Sequence, residues 1–423
     1  MRIVYNSYVN TADLLLQGYL GMEPFSNYIK KFFSENKRFG STDRKEISSL
    51  CYYYFRLGSG AKPDLPVREK ILLGKFICGY SAEGYFELIR RPDWETHIAN
   101  SLPEKLYIIK DQFDAGKLFP FQKELSGFID PGSYSLSYLE QPKLFLRVRP
   151  DKHSLVQQKL RTARIPYFLP SPDCIALNNA VKANDILRTD VEVVIQDLNS
   201  QLVFDYLKPG YTHIHAKSPL VKVWDCCAAS GGKSLLLFDI LKKRVDFTVS
   251  DIRFPILQNL HRRFRHAGIK QYGYFLADLA AKDFKMPDLL HIHNEQDRQP
   301  IKNGAKGSGD HAGVPVRKFD IIICDVPCTG SGTWSRTPEQ LCFFSAGTIV
   351  EFAERQKRIV TNAAPYLAVG GYLIYITCSV FKKENEDVAE QIKDQLKLDL
   401  VYMEGLKGYD KKADTMFVAV FRK

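Results

Sequence analysis

Several features that would assign this chain to a common protein class are missing from its sequence. The 423 residues contain no apolar run near the roughly 20 residues that a membrane-spanning helix needs. The first residues also lead into no continuous apolar core of a secretory signal. Nine cysteines are present, but their number is odd and they lack the paired C-x-x-C spacing of a zinc site or a disulfide framework. We therefore expect a cytoplasmic protein with reduced thiols and no membrane association.

Three signatures of other pockets are also incomplete. The segment Asp225–Ser234 ends like a phosphate-binding loop, but the pattern G-x-x-x-x-G-K-[ST] requires glycine where Cys227 stands. No G-x-G-x-x-G dinucleotide fingerprint is present. A cysteine phosphatase loop of the form C-x5-R that began at Cys328 would require arginine in place of Trp334. These departures argue against a nucleotide triphosphatase, a dinucleotide-binding enzyme and a cysteine phosphatase.

The size and charge of the chain are informative in themselves. Its length allows about three domains at ~150 residues each, and 45% hydrophobic content can build proper cores. A net charge of +11 favours a polyanionic partner such as RNA. Between Lys143 and Arg164, seven basic residues stand against the single acid Asp151, so this stretch can grip phosphates. A solvated surface explains any single one of these basic residues equally well.

The hydrophobic pattern divides the chain into three regions. Residues 1–135 carry apolar side chains at helical spacing, which predicts an all-α N-terminal domain. Residues 136–210 change to short strands around one helix, which predicts a small α+β module that binds RNA. In residues 211–423 strands and helices alternate, which predicts an α/β domain with a doubly wound, mostly parallel sheet. The closing segments 399–403 and 416–421 are expected to pair as an antiparallel edge.

One polar, glycine-containing segment interrupts the α/β region. We expect residues 282–318 to form a mobile insertion, because they lie between two strands and lack an apolar pattern. His291, His293 and His311 fall within it and could in principle bind a metal. A histidine in a flexible loop is usually just solvated, so we expect no metal site.

The predicted strand ends carry the features of a cofactor pocket. Ligands of open α/β sheets bind at the carboxyl ends of the strands. The small residues of 227–233 let backbone amides approach a ligand closely. Asp251 ends the next strand, where a carboxylate can accept both ribose hydroxyls, and Asp278 can receive an adenine amino group. Either acid could equally cap a helix, but together with Asp325 they favour an adenosine-containing cofactor.

Two cysteines follow buried strands of the same sheet. Cys328 comes shortly after the apolar run 321–324, and Cys378 follows the run 372–376. A free cysteine at a strand end is most often a small buried hydrophobe, so each one alone is more readily structural. As a pair beside one pocket, Pro327-Cys328 and Thr377-Cys378 indicate thiol chemistry on a pyrimidine base.

These segments resemble the RsmB/Sun-type family of RNA cytosine-5 methyltransferases. The resembling stretches are Cys227–Lys233 (CAASGGK), Asp325–Glu339 (DVPCTGSGTWSRTPE), Tyr375–Ser379 (YITCS) followed by Glu384-Asn385, and Gln196-Asp197 with Ser200-Gln201. Upstream, Gly21–Phe25 and Phe39–Arg44 resemble the NusB-like helical domain of bacterial members. The resemblance thus covers nearly the whole chain.

The resemblance implies a Rossmann-like domain that uses S-adenosylmethionine to make 5-methylcytidine in RNA, with rRNA favoured over tRNA. It implies Cys378 as the nucleophile and Cys328 as the helper that releases product. The chemistry agrees, because carbon 5 of cytosine is a poor nucleophile until a thiolate adds at carbon 6. Asp325 could donate a hydrogen bond to ring nitrogen 3 if its pocket keeps it protonated. Lys233 could lower the pKa of the nucleophile or hold cofactor or base, unless it is a solvated helix-start lysine.

The family pattern also implies the cofactor contacts. The expected residues are Cys227, Ala228, Ala229, Ser230, Gly231, Gly232, Lys233, Asp251, Asp278 and Asp325. Two departures stand out. Family members usually have proline at Ser230, so the loop loses a fixed φ, and residues 339–344 depart from the usual continuation after Pro338. We expect a monomer with RNA as its partner.

Two other functions compete with this interpretation. A DNA cytosine-5 methyltransferase attacks with the Pro-Cys cysteine and needs no Thr-Cys partner, so Cys378 argues against it. An RNA-binding assembly factor could keep the pocket without turnover, but it would not require both cysteines and all three strand-end acids. A tRNA methyltransferase remains the alternative within the same chemistry.

Overall fold

A computed structural model describes residues 2–81, 84–207, 219–287, 291–294 and 317–423. It divides into two compact units. The first comprises residues 1–142 together with 333–346, and the second comprises 143–332 together with 347–423. The boundaries 1–135, 136–210 and 211–423 that the sequence suggests stay a prediction.

The elements are numbered in chain order over the described residues. The α-helices are α1 (Arg2–Gly18), α2 (Phe25–Glu35), α3 (Ser41–Arg56), α4 (Val67–Cys78), α5 (Asp93–His97), α6 (Leu102–Ile108), α7 (Pro131–Ser137), α8 (His153–Thr162), α9 (Gly232–Ile240), α10 (Phe254–Ala267), α11 (Glu339–Phe343), α12 (Gly347–Ala363) and α13 (Glu386–Leu396). The strands are β1 (Leu144–Val148), β2 (Phe168–Ser171), β3 (Cys174–Leu177), β4 (Val193–Ile195), β5 (Val221–Asp225), β6 (Val245–Asp251), β7 (Gln271–Leu276), β8 (His291–Asn294), β9 (Phe319–Asp325), β10 (Leu367–Thr377), β11 (Asp399–Leu406) and β12 (Met416–Arg422).

The first unit is helical, as the sequence predicts. In α2 the buried side chains are Phe25, Ile29 and Phe33, which are spaced by four residues and therefore share one face. α4 is buried continuously from Ile71 to Ile77, as is typical of a central helix. An all-α N-terminal region is thus confirmed, whereas its NusB-like identity stays a prediction.

The helical unit also includes a segment from the C-terminal half of the chain. Trp334 is 2% exposed, and its ring centroid lies 4.7 Å from that of Phe344 and 6.4 Å from that of Phe119. Glu339, at the start of α11, accepts a hydrogen bond from the Phe25 amide at 3.4 Å. Residues 333–346 therefore supply part of the hydrophobic core of the helical unit.

A small antiparallel sheet opens the second unit. Its strand order is β2-β3-β1-β4, and it packs on α8 through a core that includes Leu146, Val156 and Ile175. The short strands and the helix that the sequence predicts for this region are present, among them β1 and α8.

The basic stretch of this module is partly engaged in ion pairs. Arg147 and Arg149 are buried, and each donates to the Asp239 carboxylate in α9 at 2.6 Å. Lys159 pairs with Glu192 at 2.7 Å. The expectation that the whole stretch grips phosphates is therefore wrong for the two arginines, because their guanidinium groups hold the module to α9.

The large sheet has the order β11-β12-β10-β9-β5-β6-β7-β8. Strands β10, β9, β5, β6 and β7 are parallel neighbours, whereas β12, β11 and β8 pair antiparallel. Ile321–Ile323 in β9 are fully buried, as expected for a parallel strand covered on both faces. The doubly wound, mostly parallel α/β fold is confirmed, and so is the antiparallel pairing of 399–403 with 416–421.

The predicted insertion at 282–318 falls mostly outside the described residues. Within it, residues 288–290 and 295–316 are not described, and His311 is among them. β8 is the exception, since it pairs antiparallel with β7 and places His293 opposite Tyr272.

Candidate active site

Two loops that follow adjacent parallel strands bring the two predicted cysteines together. β9 and β10 run side by side with Asp325 opposite Ile376, so their carboxyl ends lie at the same edge of the sheet. The Cys328 and Cys378 sulfurs are 3.4 Å apart and partly buried. The loops are tied by backbone hydrogen bonds, including one from the Gly332 amide to the Cys378 carbonyl at 2.8 Å. The two thiols are therefore neighbours, and their catalytic roles stay a prediction.

The two thiols have different environments. Contact with the Cys378 sulfur, together with burial, raises the pKa of Cys328 well above that of a free thiol. A protonated Cys328 can donate its S–H hydrogen to the Cys378 sulfur. In this arrangement Cys328 is the donor and the Cys378 sulfur is the acceptor.

Lys233 contacts the same group of residues from the first turn of α9. Its ammonium donates to Asp325 Oδ2 at 2.7 Å, and both side chains are mostly buried. Burial opposes the charge on Lys233, but Asp325 and Cys378 outweigh it and raise the pKa of the ammonium. Lys233 is therefore a buried cation beside the thiols and not a solvated helix-start lysine.

A further acid, Asp225, lies beneath this pair at the end of β5. The Ser234 hydroxyl donates to its Oδ2 atom at 2.6 Å, while its Oδ1 atom is buried and has no hydrogen-bond partner in the part of the chain that the structure describes. Burial raises the pKa of Asp225 to about 7. The sequence assigned no function to this residue.

The loop 227–233 has the tight geometry that its small residues allow. Gly231 has a φ of +81°, and a Cβ atom there would lie 2.8 Å from the Phe264 ring. Ala229 also has a positive φ, +46°, which is rare for alanine and costs energy that its surroundings must offset. At Gly232, by contrast, a Cβ atom would meet nothing within 4 Å. The loop thus leaves open space beside helix α9.

Ser230, the departure from the family proline, has a specific partner in this chain. Arg263 in α10 donates to both the carbonyl oxygen and the hydroxyl of Ser230, each at 2.9 Å. The same arginine pairs with Asp190 at 3.0 Å. The hydrogen bonds from Arg263 restrain the loop where a proline ring would otherwise fix φ.

Asp251 is held at the end of β6 by several donors. Its carboxylate accepts the Ala229 amide at 3.0 Å, the Arg253 amide at 2.9 Å and the Arg253 guanidinium at 3.0 Å. Asp278 accepts the Ala280 amide at 2.9 Å. Both acids therefore act as local turn caps, a role that the sequence analysis had set aside. The Arg253 guanidinium also occupies carboxylate oxygens of Asp251 that a ribose would use.

The sequence analysis gave no role to Glu384, although it noted the Glu384-Asn385 pair. Glu384 is fully buried and accepts hydrogen bonds from Thr329 and Ser379, the residues that follow the two cysteines. Asn385 accepts from the Thr377 hydroxyl at 2.5 Å and donates to the Ser379 carbonyl at 2.9 Å. The only sequence signal for these two residues was their position as a polar pair shortly after Thr-Cys-Ser. The role of the pair depends on the geometry of the folded loops, which the sequence does not specify.

The described residues contain neither a candidate metal site nor a membrane-spanning helix. Over the described ranges, no cluster of three or more histidine, cysteine or acidic side chains could hold a metal ion. No described helix is both long enough and apolar enough to span a bilayer.

Comparison with known proteins adds the evolutionary relationship. Residues 216–418 match the family described as 16S rRNA methyltransferase RsmB/F. Ribosomal RNA small subunit methyltransferase B of Yersinia enterocolitica is 27% identical over 62% of this chain and 54% of its own length. A tRNA (cytosine(34)-C(5))-methyltransferase of Drosophila melanogaster is 27% identical over 64% of this chain and 36% of its own. The chain thus spans about a third to a half of these two relatives.

Solved structures with low sequence identity share the fold. PH0851 has a TM-score of 0.66 at 15% identity and covers 99% of this chain and 98% of its own. NSun6 from Pyrococcus horikoshii, solved with SFG, has a TM-score of 0.54 at 14% identity and covers 72% of this chain and 97% of its own.

The strand order and the loops at its carboxyl edge define a Rossmann-like methyltransferase domain. Within that class, residues 216–418 match the RsmB/F family. The family predicted from the motifs is thereby confirmed.

Proposed function

We propose that this protein is an S-adenosylmethionine-dependent RNA cytosine-5 methyltransferase that works through a covalent enzyme–cytosine adduct. The observation that carries the proposal is the pair of sulfurs, Cys328 and Cys378, 3.4 Å apart beside the Lys233–Asp325 ion pair. The match of residues 216–418 to the RsmB/F family supports it.

Cys378 supplies the nucleophile. Its thiolate adds to carbon 6 of the cytosine ring, which makes carbon 5 electron-rich. The neighbouring Lys233 ammonium and the Cys328 S–H group both favour a negative charge on the Cys378 sulfur. This assignment gives the attacking role to the thiol that has both of these neighbours.

Lys233 and Asp325 stabilise the charge that develops on the ring. Addition at carbon 6 places negative charge on ring nitrogen 3, which then needs a hydrogen-bond donor. Asp325 accepts from the Lys233 ammonium at 2.7 Å. As negative charge forms on ring nitrogen 3, Asp325 passes it a proton that Lys233 supplies along this hydrogen bond.

Cys328 assists product release. After carbon 5 is methylated, its proton must leave so that the bond between carbon 6 and the Cys378 sulfur can break. Cys328 lies within contact distance of that sulfur, so it passes its S–H proton to the departing Cys378 thiolate and takes up the carbon 5 proton in its place.

The site fits the cofactor on two observations. A Cβ atom at Gly232 would meet no protein atom, and the Asp225 Oδ1 atom is buried without a partner among the described residues. When bound, S-adenosylmethionine supplies an electrophilic methyl group. The loop 227–233 would hold it through backbone amides. Asp251 would accept hydrogen bonds from the ribose hydroxyls of the cofactor once the Arg253 guanidinium releases one of its carboxylate oxygens. Asp278 would accept a hydrogen bond from the adenine amino group.

Ribosomal RNA is the substrate that we propose, with a NusB-like helical domain as the partner-binding or RNA-binding part. Relatives named for the small ribosomal subunit support rRNA, and the Drosophila relative named for tRNA keeps tRNA as the second candidate. Bisulfite mapping of RNA from cells with and without the gene distinguishes them. Loss of a 5-methylcytidine from tRNA alone would contradict the rRNA assignment.

The roles of the two cysteines are tested by trapping on RNA that contains 5-fluorocytidine. Fluorine cannot leave carbon 5 as a cation, so the adduct persists after methylation. We expect Cys378→Ala to form no adduct and to lose turnover by roughly 10³-fold or more. Cys328→Ala should still form the adduct.

The matched control is Cys342→Ala, since Cys342 is an exposed thiol outside the site. It should trap RNA as the unmodified protein does. An adduct with Cys378→Ala but none with Cys328→Ala would reverse the roles, and no adduct with any form of the protein would contradict the covalent mechanism.

A further inference from the structure

One buried carboxylate touches both cysteine loops. Glu384 lies in a turn of 3₁₀ helix directly before α13, and it is fully buried. Its Oε1 atom accepts the Thr329 amide at 2.9 Å, and its Oε2 atom accepts the Thr329 hydroxyl at 2.6 Å and the Ser379 hydroxyl at 2.5 Å. Thr329 directly follows Cys328 and Ser379 directly follows Cys378, so one side chain binds the neighbour of each sulfur.

A fourth donor fixes the carboxylate from helix α12. Gln356 donates to Glu384 Oε1 at 2.9 Å and to the Pro327 carbonyl at 3.1 Å, on the other side of Cys328. Gln356 also accepts the Tyr375 hydroxyl at 3.0 Å, and Tyr375 belongs to β10. Pro327 and Thr329, on the two sides of Cys328, are therefore held in place relative to β10 by the side chains of Glu384 and Gln356.

Burying the Glu384 carboxylate costs free energy that its hydrogen bonds must offset, which indicates that these hydrogen bonds hold the two cysteine loops firmly. Burial raises the pKa of its carboxyl group, while the hydrogen bonds from Ser379, Thr329 and Gln356 lower it. These donors are neutral groups, and each would lose its hydrogen bond to this carboxylate if the side chain were removed. A buried donor without an acceptor costs about 1–3 kcal/mol, so the loops would move to recover hydrogen bonds.

We propose that Glu384 is a positioning residue that holds the Cys328 and Cys378 sulfurs at contact distance by binding the residues that follow them. Its catalytic consequence rests on the proposed function, because Cys328 can assist release only while it stays beside the adduct sulfur. The geometric part does not depend on which reaction the site performs.

Thiol–disulfide exchange reports how close the two sulfurs are in the folded protein. In a buffer of reduced and oxidised glutathione, the two thiols form one protein disulfide, while one glutathione disulfide is reduced to two glutathione thiols that take up the two protons lost by the protein thiols. The fraction of Cys328–Cys378 disulfide, measured by peptide mass spectrometry, gives the effective concentration of one thiol toward the other.

We expect Glu384→Ala to lower this effective concentration at least about tenfold. Glu384→Gln should show an intermediate value, because its carboxamide oxygen still accepts two hydrogen bonds while its NH2 group meets the hydroxyls. Glu390→Ala is the matched control, since Glu390 is exposed on α13 a short distance along the chain. An unchanged value in Glu384→Ala, or no disulfide in the unmodified protein, would overturn the proposal.

General unfolding is distinguished by two other thiols. Cys226 and Cys324 are fully buried with their sulfurs 3.6 Å apart, and alkylation of them reports a loosened sheet. If Glu384→Ala exposes Cys226 and Cys324, a second variant, Ser379→Ala, takes its place, because it removes only one donor to Glu384. Ser379→Ala should lower the effective concentration of Cys328 toward Cys378 several-fold while Cys226 and Cys324 stay protected. No decrease in Ser379→Ala would then count against positioning.

A second readout separates this proposal from the proposed function. With unmodified cytidine RNA and S-adenosylmethionine, Glu384→Ala should accumulate covalent adduct as Cys328→Ala does, because addition continues while release slows. If no RNA is methylated by the unmodified protein, the proposed function fails, yet the disulfide measurement still decides the role of Glu384. If methylation occurs and Glu384→Ala releases product at the normal rate, the positioning role fails alone.

Discussion

Individual polar residues are buried at the ends of the strands, and Asp225, at the end of β5, shows what this costs. Its carboxyl group has one donor, the Ser234 hydroxyl, and one buried oxygen without a partner among the described residues. A buried carboxylate with so few donors is less stable than the neutral acid. The folded protein therefore favours the protonated form of Asp225 up to a pH of about 7.

This burial predicts a specific pH dependence of stability. The pKa of Asp225 rises from 3.8 in the unfolded chain to about 7 in the folded protein. Below the lower value both states hold the proton and the fold has no penalty. Between about pH 4 and 7 the unfolded state releases the proton first, so the Asp225 contribution to the free energy of unfolding falls by up to about 1.4 kcal/mol per pH unit.

Asp225→Asn tests this prediction, because asparagine resembles the neutral acid. Urea unfolding at several pH values should show Asp225→Asn gaining stability relative to the unmodified protein as the pH rises from 4 to 7. Asp283→Asn, at an exposed aspartate, is the control and should track the unmodified protein. Parallel curves for Asp225→Asn and the unmodified protein would contradict the assignment.

The sequence located single site residues unevenly. Cys328 and Cys378 were predicted to meet because each follows an apolar strand-like run, and neighbouring parallel strands end at the same edge. Glu384 could not be assigned in that way, because its partners are a backbone amide and hydroxyls whose positions depend on the folded loops. Asp251 was placed correctly at a strand end, but its pairing with Arg253 depends on side-chain geometry that spacing does not specify.

At the scale of elements, the connection between β5 and α9 is the most constrained. Gly231 combines a positive φ with close contacts to the Phe264 ring, whereas Gly232 opens α9 and faces empty space. The two adjacent glycines therefore have different roles. Gly231 permits the turn that connects β5 to α9, and Gly232 leaves room for a ligand.

Alanine at each glycine should separate these two roles. Gly231→Ala places an L side chain in the left-handed region and against Phe264, so we expect a loss of about 1–3 kcal/mol in the free energy of unfolding. Gly232→Ala should leave stability within about 0.5 kcal/mol, yet it should weaken S-adenosylmethionine binding at least tenfold in a calorimetric titration. Normal cofactor affinity in a stable Gly232→Ala variant would show that the open space is not the cofactor site.

The elements themselves were largely predictable. Apolar runs gave the parallel strands, since a strand buried on both faces needs a continuous apolar sequence. β8 was not predicted, because it is a short strand within a polar segment and its pairing with β7 follows from tertiary contacts. The prediction that the basic stretch 143–164 binds phosphates was also wrong at Arg147 and Arg149. The sequence cannot show that Asp239 forms ion pairs with both arginines in the folded protein.

At the scale of the whole molecule, the helical unit is discontinuous. Leu341 in α11 is 5% exposed, and a side chain at Gly58 would lie 3.0 Å from its Cδ2 atom. The hydrophobic pattern could not predict that residues 333–346 belong to the helical unit. They follow shortly after the Pro-Cys motif, and no change in composition separates them from the α/β region.

Removing the Leu341 side chain should therefore weaken the helical unit. We expect Leu341→Ala to lower the free energy of unfolding of that unit by about 2–4 kcal/mol through lost burial and a cavity. Hydrogen exchange measured by mass spectrometry should become faster in α3 and α4 while β5 and β9 keep their protection. Gln340→Ala, at an exposed position on the same helix, is the control, and equal effects of the two substitutions would contradict the packing assignment.

The discontinuity has a consequence for how such a protein can be inherited or rebuilt. A domain encoded by one stretch of gene can be transferred by a single crossover, but this helical unit is encoded by two stretches on either side of most of the other unit. A crossover near residue 142 would transfer the helices and leave behind the short piece that carries Trp334. Exchange of this unit between related genes therefore requires two coordinated recombination events or a compensating change in its core.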